Sequence, residues 1–465
     1  MDDQAPGLAA MLLERFLRKN PLAASLRLVL EQMFAAEEIN ALFERERGQQ
    51  YTRQIAFSTI VDVMTAVVTG RSSSVHAELQ KRGGAIGASF TAFYNKLNTT
   101  EPAVAAALVR HVATKARALL EAMGGLRPAP LPGWTMRVLD GNHIASTERR
   151  IAALWGVAAG PRPGFSLVVF EPAAMLMTHM IPCEDAHAQE RSLTAEILAL
   201  VKPGDCWVAD RNFCTLPILL GVMEAKSHFI IRQHGNLEGK LLGTRREIGR
   251  TDTGLVFEQR LQLTHGDDSV VVRRVTIELD TPTRDGDREM HILTNLPASV
   301  RADVVATTYR KRWTIETAFG DLTRWMDAEI APLGYPRAAL LGFSVGAMAY
   351  NAISTLLGAL RATHGDEVVQ ERVSGYYLVE YGRDAVGRID DYIDDEEWES
   401  WRTMPLAEAA VLLKATAARI DLAMIRKAPR GPKKPVPKRT RFKDKPHVAT
   451  KRLIDGTVGD GKKSD

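Results

Sequence analysis

Two aspartates, Asp140 in TMRVLDGNHI and Asp210 in CWVADRNF, each close an otherwise apolar run. Such runs read as buried strands, the first ending in a polar loop, which puts each carboxylate at the sheet rim where open α/β sheets place their ligands. Two aspartates on adjacent strands can share hard divalent cations, Mg2+ with Mn2+ as a substitute, because these ions take carboxylate oxygens. A pair of such ions clamps the attacking and leaving oxygens of phosphoryl transfer. For either residue alone, a strand-end aspartate capping a turn is the alternative. Farther on, Tyr309, Arg312 and Glu316 in TTYRKRWTIE fall at spacings of three and four, one face of a helix. Glu316 can supply a third carboxylate, and the planar fork of Arg312 suits a phosphate. An exposed salt-bridged helix face is the bland alternative.

Neighbouring residues extend the candidate site. Asn142 and His143 follow the first aspartate, Arg211 and Asn212 the second, and all four are expected to line the site or touch a polyanion. Glu184, Asp185, His187 and Glu190 have metal-ligand side chains, yet Asp185 reads more simply as a helix N-cap and Glu190 as a first-turn acid complementing the helix dipole. Core packing is the expected role of Trp313, stacking on an unpaired base the alternative. The sequence has no nucleophilic Ser or Cys motif, phosphate-binding glycine loop or CxxC pair.

The elements that must position these groups follow from periodicity. From residue 134 the pattern is β-β-β-α-β-α-β: the Asp140 strand, SLVVFEP and MLMTHMI as a hairpin pair, AQERSLTAEILALV as an amphipathic helix, the Asp210 strand, LPILLGVMEAK as a helix and HFIIRQH as a strand. LVFEQRLQL and SVVVRRVTIEL then alternate polar with apolar residues, as a half-exposed hairpin would. HILTNLP returns to the core, and SVRADVVATTYRKRWTIETAFGDLTRWM reads as one long helix. Ahead of all this, residues 1–125 read as helical. There SSSVHAELQKRGGAIGASFTAFYNKLN has the shape of a helix-turn-helix, with Thr91, Tyr94, Asn95 and Lys96 on the surface of its second helix. LRPAPLPGW is a Pro-rich linker.

Composition sets outer limits. The chain has 465 residues, 45% hydrophobic and 25% charged, enough to bury a large core and unlike a disordered or disulfide-stapled chain. Three cysteines in or beside apolar stretches read as reduced thiols, and the acidic N-terminus does not resemble a signal peptide, so a cytoplasmic protein is expected. The net charge of +4 is a tail property. Between Arg426 and Arg452 there are twelve Lys/Arg and one acid, so the rest of the chain is net acidic. This Pro- and Lys-rich stretch cannot build a core and reads as a flexible polyanion-binding arm, with a solvated tail as the alternative. Ala338–Leu360 carries no charge over 23 residues, enough to span a bilayer, but its Ser, Thr and Asn content favours a buried helix of a large core.

The three acidic blocks, VLDGNHIASTERR, WVADRNF and YRKRWTIE, resemble those of DDE transposases of bacterial insertion sequences. The group is the insertion-sequence-four-type family with its Tyr-x2-Arg-x3-Glu-x6-Lys signature. Tyr309, Arg312 and Glu316 match that signature, and Thr323 stands where its lysine would be, with Arg324 adjacent. The resemblance, over roughly residues 40–365, implies an α/β, ribonuclease H-like mixed sheet flanked by helices and interrupted by a β-rich insertion. The 105 residues between Asp210 and Glu316 leave room for it. It divides the chain into a helical N-terminal DNA-binding domain (1–125), a catalytic core in two parts (134–239 and 291–365) around the insertion (240–290), a C-terminal helical region (366–425) and a basic flexible tail (426–465). It implies Asp140, Asp210 and Glu316 as catalytic ligands of two Mg2+ ions, with Tyr309, Arg312 and Arg324 toward phosphate. The partner is DNA, both element ends and target, bound by a homodimer on paired ends, which implies a protein associated with the nucleoid. Metal-dependent strand cleavage and cut-and-paste strand transfer follow. A catalytically inactive DNA-binding remnant is the alternative, suggested by Thr323, and a metal-dependent hydrolase of small phosphate esters is a third reading.

Overall fold

The computed structural model describes residues 15–52, 54–144, 151–155, 160–266, 268–283, 286–326, 328, 330, 333–389, 393, 395–428 and 447–456. The first fourteen residues and most of the expected basic tail, 429–446 and 457–465, lie outside the described residues.

After a helical stretch at 15–19 come six helices: α1 (Pro21–Met33), α2 (Ala36–Glu46), α3 (Phe57–Val68), α4 (Val75–Arg82), α5 (Phe90–Thr99) and α6 (Pro102–Met123). Side-chain caps start several of them. Ser74 accepts from the Ala77 amide at the head of α4, and Ser89 from the Ala92 amide at the head of α5. Between α4 and α5 the chain turns through Gly83–Ile86 and a left-handed Gly87, so the expected helix-turn-helix shape is present. Pro102 starts α6 at its first turn, and a left-handed Gly124 ends it.

The sheet has nine strands. They are β1 (Thr135–His143), β3 (Phe165–Glu171), β4 (Leu176–Cys183), β5 (Asp205–Ala209), β6 (His228–Arg232), β7 (Lys240–Thr251), β8 (Gly254–His265), β9 (Asp268–Leu279) and β10 (Glu289–Thr294), in the spatial order β4-β3-β1-β5-β6-β10-β9-β8-β7. β1, β5 and β6 are parallel neighbours, and every other neighbouring pair is antiparallel. The connections contribute the short α7 (Thr194–Leu198) and α8 (Leu216–Glu224). The result is a large mixed sheet flanked by helices. Val138, Val208 and Ile230 join one core with α6, while Leu139, Trp207, Ala209 and Phe229 join a second core with Ile197 of α7 and Leu219 of α8. This alternation along each strand is the period of two that separates the sheet's faces.

The sequence reading needs three corrections here. The polar end of the Asp140 run is strand rather than loop: Gly141, Asn142 and His143 continue β1 opposite Leu167, Ser166 and Phe165 of β3. An antiparallel neighbour supplies backbone partners after the parallel pairing with β5 has stopped. AQERSLTAEILALV is a 3₁₀ turn (Glu190–Leu193) leading into the single-turn α7, not one amphipathic helix. The long helix after the sheet is two, α9 (Ala302–Arg310) and α10 (Trp313–Trp325). They are separated at Lys311–Arg312, where i→i+3 bonds tighten the chain: the Lys311 amide donates to Thr308 and the Arg312 amide to Tyr309.

Helix α11 (Pro336–His364) is the uncharged run noted in the sequence. By length and composition it could cross a membrane, but 94% of its apolar window is buried inside the fold. It packs on α6 closely enough that a Cβ on Gly125 would sit 2.7 Å from the Gly358 carbonyl. Its buried Asn351 grips β4: the side-chain amide accepts from the Met177 N–H and donates to the Met177 carbonyl, both at 2.9 Å. Helices α12 (Asp366–Arg372), α13 (Gly375–Ile389) and α15 (Leu406–Ala417) pack beside it, and the short α14 (Glu399–Arg402) packs on α1.

The end of the described chain returns to the sheet domain. Strand β11 (His447–Ala449) pairs in parallel with β2 (Gly160–Arg162), and α16 (Thr450–Ile454) places Arg452 2.9 Å from Asp185. These tail residues are therefore docked rather than flexible, because a strand edge and a carboxylate await them.

Candidate active site

Register brings the two aspartates together. β1 and β5 pair in parallel with Leu139 opposite Ala209 as the last matched pair, so Asp140 and Asp210 are the next residues on adjacent strands. Alternation turns both toward the face of Val138 and Val208, the face on which α10 packs. There Glu316 is reached through Arg312. The guanidinium donates to Asp140 Oδ2 at 2.8 Å and to Glu316 Oε1 at 2.6 Å. Tyr309 is buried and hydrogen-bonds the same guanidinium. Arg312 is thus committed to two carboxylates and a phenol instead of being free for a phosphate. The tight turn between α9 and α10 is where it leaves the backbone.

Electrostatics follow from this crowding. Burial pushes the Asp140 carboxyl up to about 6. Arg312 and a hydrogen bond from the Gly141 amide pull it down, and the charges of Asp210 and Glu190 push it up again. Asp210 uses Oδ1 to accept from the Asn212 amide at 2.8 Å, capping the short turn Arg211–Phe213. Burial likewise raises the Glu190 carboxyl, and burial raises the Tyr309 phenol.

The remaining expected residues divide. Asn142 is half-buried on β1, and His143 lies at its exposed end with its ring 5.2 Å from that of Phe165. Arg211 and Asn212 are exposed beside Asp210. Arg324 is largely exposed on α10, 3.7 Å from Asp321, while the Thr323 hydroxyl donates to its own helix at Gly320. On α5, Thr91 and Asn95 are exposed and Tyr94 is half-buried. Lys96 turns inward, its ammonium 2.6 Å from the Ile55 carbonyl and over the Phe43 ring. It therefore does not stand on the helix surface as the spacing suggested, because an unpaired carbonyl and an aromatic face lie within its reach. Trp313 is 51% exposed at the first turn of α10, so core packing is corrected to a surface position. The break before α10 turns it outward.

The acidic block after β4 disperses. Glu184 pairs with Arg337 at 3.1 Å, Asp185 with Arg452, and the Asp185 side chain caps the turn at His187. Only Glu190 reaches the aspartates: its Oε2 lies 3.4 Å from Asn212 Nδ2, and its carboxylate rests over Gly141. Read as a first-turn charge, its role was missed. The available signal was the glycine directly after Asp140, which leaves room for a side chain from elsewhere.

Among the described residues no three Asp, Glu, His or Cys side chains are gathered as a ready metal-binding group. The donor chemistry at Asp140 and Asp210 nevertheless suits a hard divalent cation, since two carboxylates crowd one rim and a third neighbour, Glu190, adds to their repulsion.

Residues 136–352 match the family model of the transposase DDE domain, a span that holds Asp140, Asp210 and Glu316. Over that span the chain is similar to transposase DDE domains. Among curated proteins none matches the chain.

Proposed function

We propose that this protein is a DNA transposase of the insertion-sequence-four-type group that binds the terminal inverted repeats of its element. It would cleave and transfer strands at Asp140, Asp210 and Glu316 in a cut-and-paste reaction. The observation that carries this reading is the register Leu139 opposite Ala209, which sets two aspartates side by side, together with the Arg312 bridge from Asp140 to Glu316. The order β4-β3-β1-β5-β6 with β1, β5 and β6 parallel supports a ribonuclease H-like core, and β7–β9, inserted between β6 and β10, support the β-rich insertion.

In this reading Asp140, Asp210 and Glu316 would hold divalent cations, Mg2+ or Mn2+, which would activate water or a DNA 3′-hydroxyl and stabilise the leaving oxygen. The chain's own contribution is positioning. Two strands fix the aspartates, and Arg312 holds Glu316 against the rim and offsets the repulsion among the acids until DNA and metal arrive. Arg211, Asn212 and Arg324, all exposed, would meet phosphates, Arg324 in place of the signature lysine. Trp313 offers an aromatic face to a base. Helix α5 ends beside the same rim, since Arg337 contacts both the Thr99 carbonyl and Glu184. Its exposed Thr91 and Asn95 would extend the DNA surface. Two copies would act on paired ends.

The test is a cleavage assay on DNA carrying the element's ends, with Mg2+ or Mn2+ and with chelator. Metal-dependent nicking at the ends is the expected result. Sequence-specific binding with no cleavage under any divalent ion would instead identify an inactive remnant.

A further inference from the structure

We propose that Glu190 is a positioning residue for Asp210, acting through Asn212 from a seat that only a glycine at position 141 leaves open. The inference rests on the DDE reading for its functional meaning, but its structural content is independent of it. Glu190 begins the 3₁₀ turn after β4, and this turn packs against the one that follows Asp210. Its Oε2 accepts from Asn212 Nδ2 at 3.4 Å, and the Asn212 backbone amide donates to Asp210 Oδ1 at 2.8 Å. A hydrogen-bond chain therefore runs Glu190–Asn212–Asp210. It ties the turn after β4 to the strand end that carries the second aspartate.

Gly141 explains why Glu190 can reach that position. Its backbone is ordinary strand, so no unusual conformation demands glycine there. A Cβ at 141 would collide with Glu190 Oε1. Because that oxygen is the far end of a flexible side chain, alanine would displace the carboxylate rather than break the strand. Asp210 caps a three-residue turn that buried Phe213 anchors at its far end, while Arg211 and Asn212 next to the aspartate are exposed and lack such an anchor. An acceptor brought across from another segment supplies the missing constraint.

The prediction is a double-mutant cycle read by hydrogen exchange of the segment Asp210–Phe213 in metal-free protein. Glu190→Ala should speed exchange at the Asn212 amide about tenfold, the scale of one net hydrogen bond. Gly141→Ala should do the same by pushing the carboxylate away, and the double variant should be no faster than either single one. Glu190→Gln keeps an acceptor for Asn212 and should exchange like the parent. Calorimetric Mn2+ titration should rank the variants in the same order. Unchanged exchange in Glu190→Ala, Glu190→Gln as fast as Glu190→Ala, or additive single effects would each overturn the proposal. Absence of DNA cleavage by the parent protein would count against the transposase reading alone, because the exchange cycle is decided without DNA.

Discussion

Arg312 lies 2.8 Å from Asp140 and through its second amino group holds Glu316 at 2.6 Å, joining residues 172 positions apart to a helix neighbour. One guanidinium therefore offsets the burial and the neighbouring acids that disfavour the Asp140 carboxylate, while tying Glu316 to the same rim. Arg312→Lys cannot make both bonds in this geometry, since an ammonium lacks the planar fork. Cleavage of element ends should fall about 10²–10³-fold, the range for losing a preorganised charge contact. Retention of full rate in single-turnover assays would show that the bridge is incidental.

The acids themselves should be separable from binding. Asp140→Asn, Asp210→Asn and Glu316→Gln are expected to lower strand cleavage by at least about 10³-fold while leaving the affinity for element ends within about threefold, because cleavage depends on charge that end binding does not use. Gel-shift and cleavage assays on the same preparations check this. Cleavage at the parent rate by any of the three would remove that residue from the site.

Trp313 stands half out of the surface one residue beyond Arg312. Trp313→Ala should change folding stability by less than about 0.5 kcal/mol, as surface substitutions do. Base stacking worth about 1–3 kcal/mol would be lost with it, so DNA with an unpaired end should bind about ten- to hundredfold more weakly. Urea unfolding and fluorescence titration separate the two effects. A large stability loss with unchanged affinity would return Trp313 to a packing role.

Asn351 on α11 meets both backbone groups of Met177, fully buried. Asn351→Leu would strand one N–H and one carbonyl away from water, a cost of about 2–5 kcal/mol. The urea midpoint should drop accordingly, and a loss below about 1 kcal/mol would mean that water replaces the amide.

Acid should destabilise the protein between pH 6.5 and 4. Burial holds His179 and His291 down to about 4, so across that window the unfolded chain takes up protons that the native one refuses. Asp140 acts in the opposite sense: its carboxyl, raised to about 6, gains a proton in the folded state first, and acidification from 6 to 4 relieves it. Asp321, also raised to about 6, acts as Asp140 does, but burial lowers His111, His143, His228 and His447 as well, so the histidines outnumber these acids and stability falls as pH falls. His179→Phe should flatten the slope of unfolding free energy by about one proton, and an unchanged slope would show that His179 is already protonated in the native protein.

What periodicity could reach was local. Apolar runs ending in Asp140 and Asp210 announced strands, the alternation of 255–263 and 269–279 announced the β8–β9 hairpin, and uncharged Ala338–Leu360 announced a helix of the interior. Each depends on residues within a few positions of one another, and hydrophobic spacing encodes that directly. The three acids were also named from sequence, since their types and order survive without coordinates. Tertiary structure alone decided who touches whom. That Lys96 folds inward, that Trp313 faces out, that Arg312 is spent on Asp140 and Glu316, and that Glu190 reaches Gly141 all turn on strand register and a helix break. Those are set by packing among segments far apart in the chain, and no local pattern carries that information.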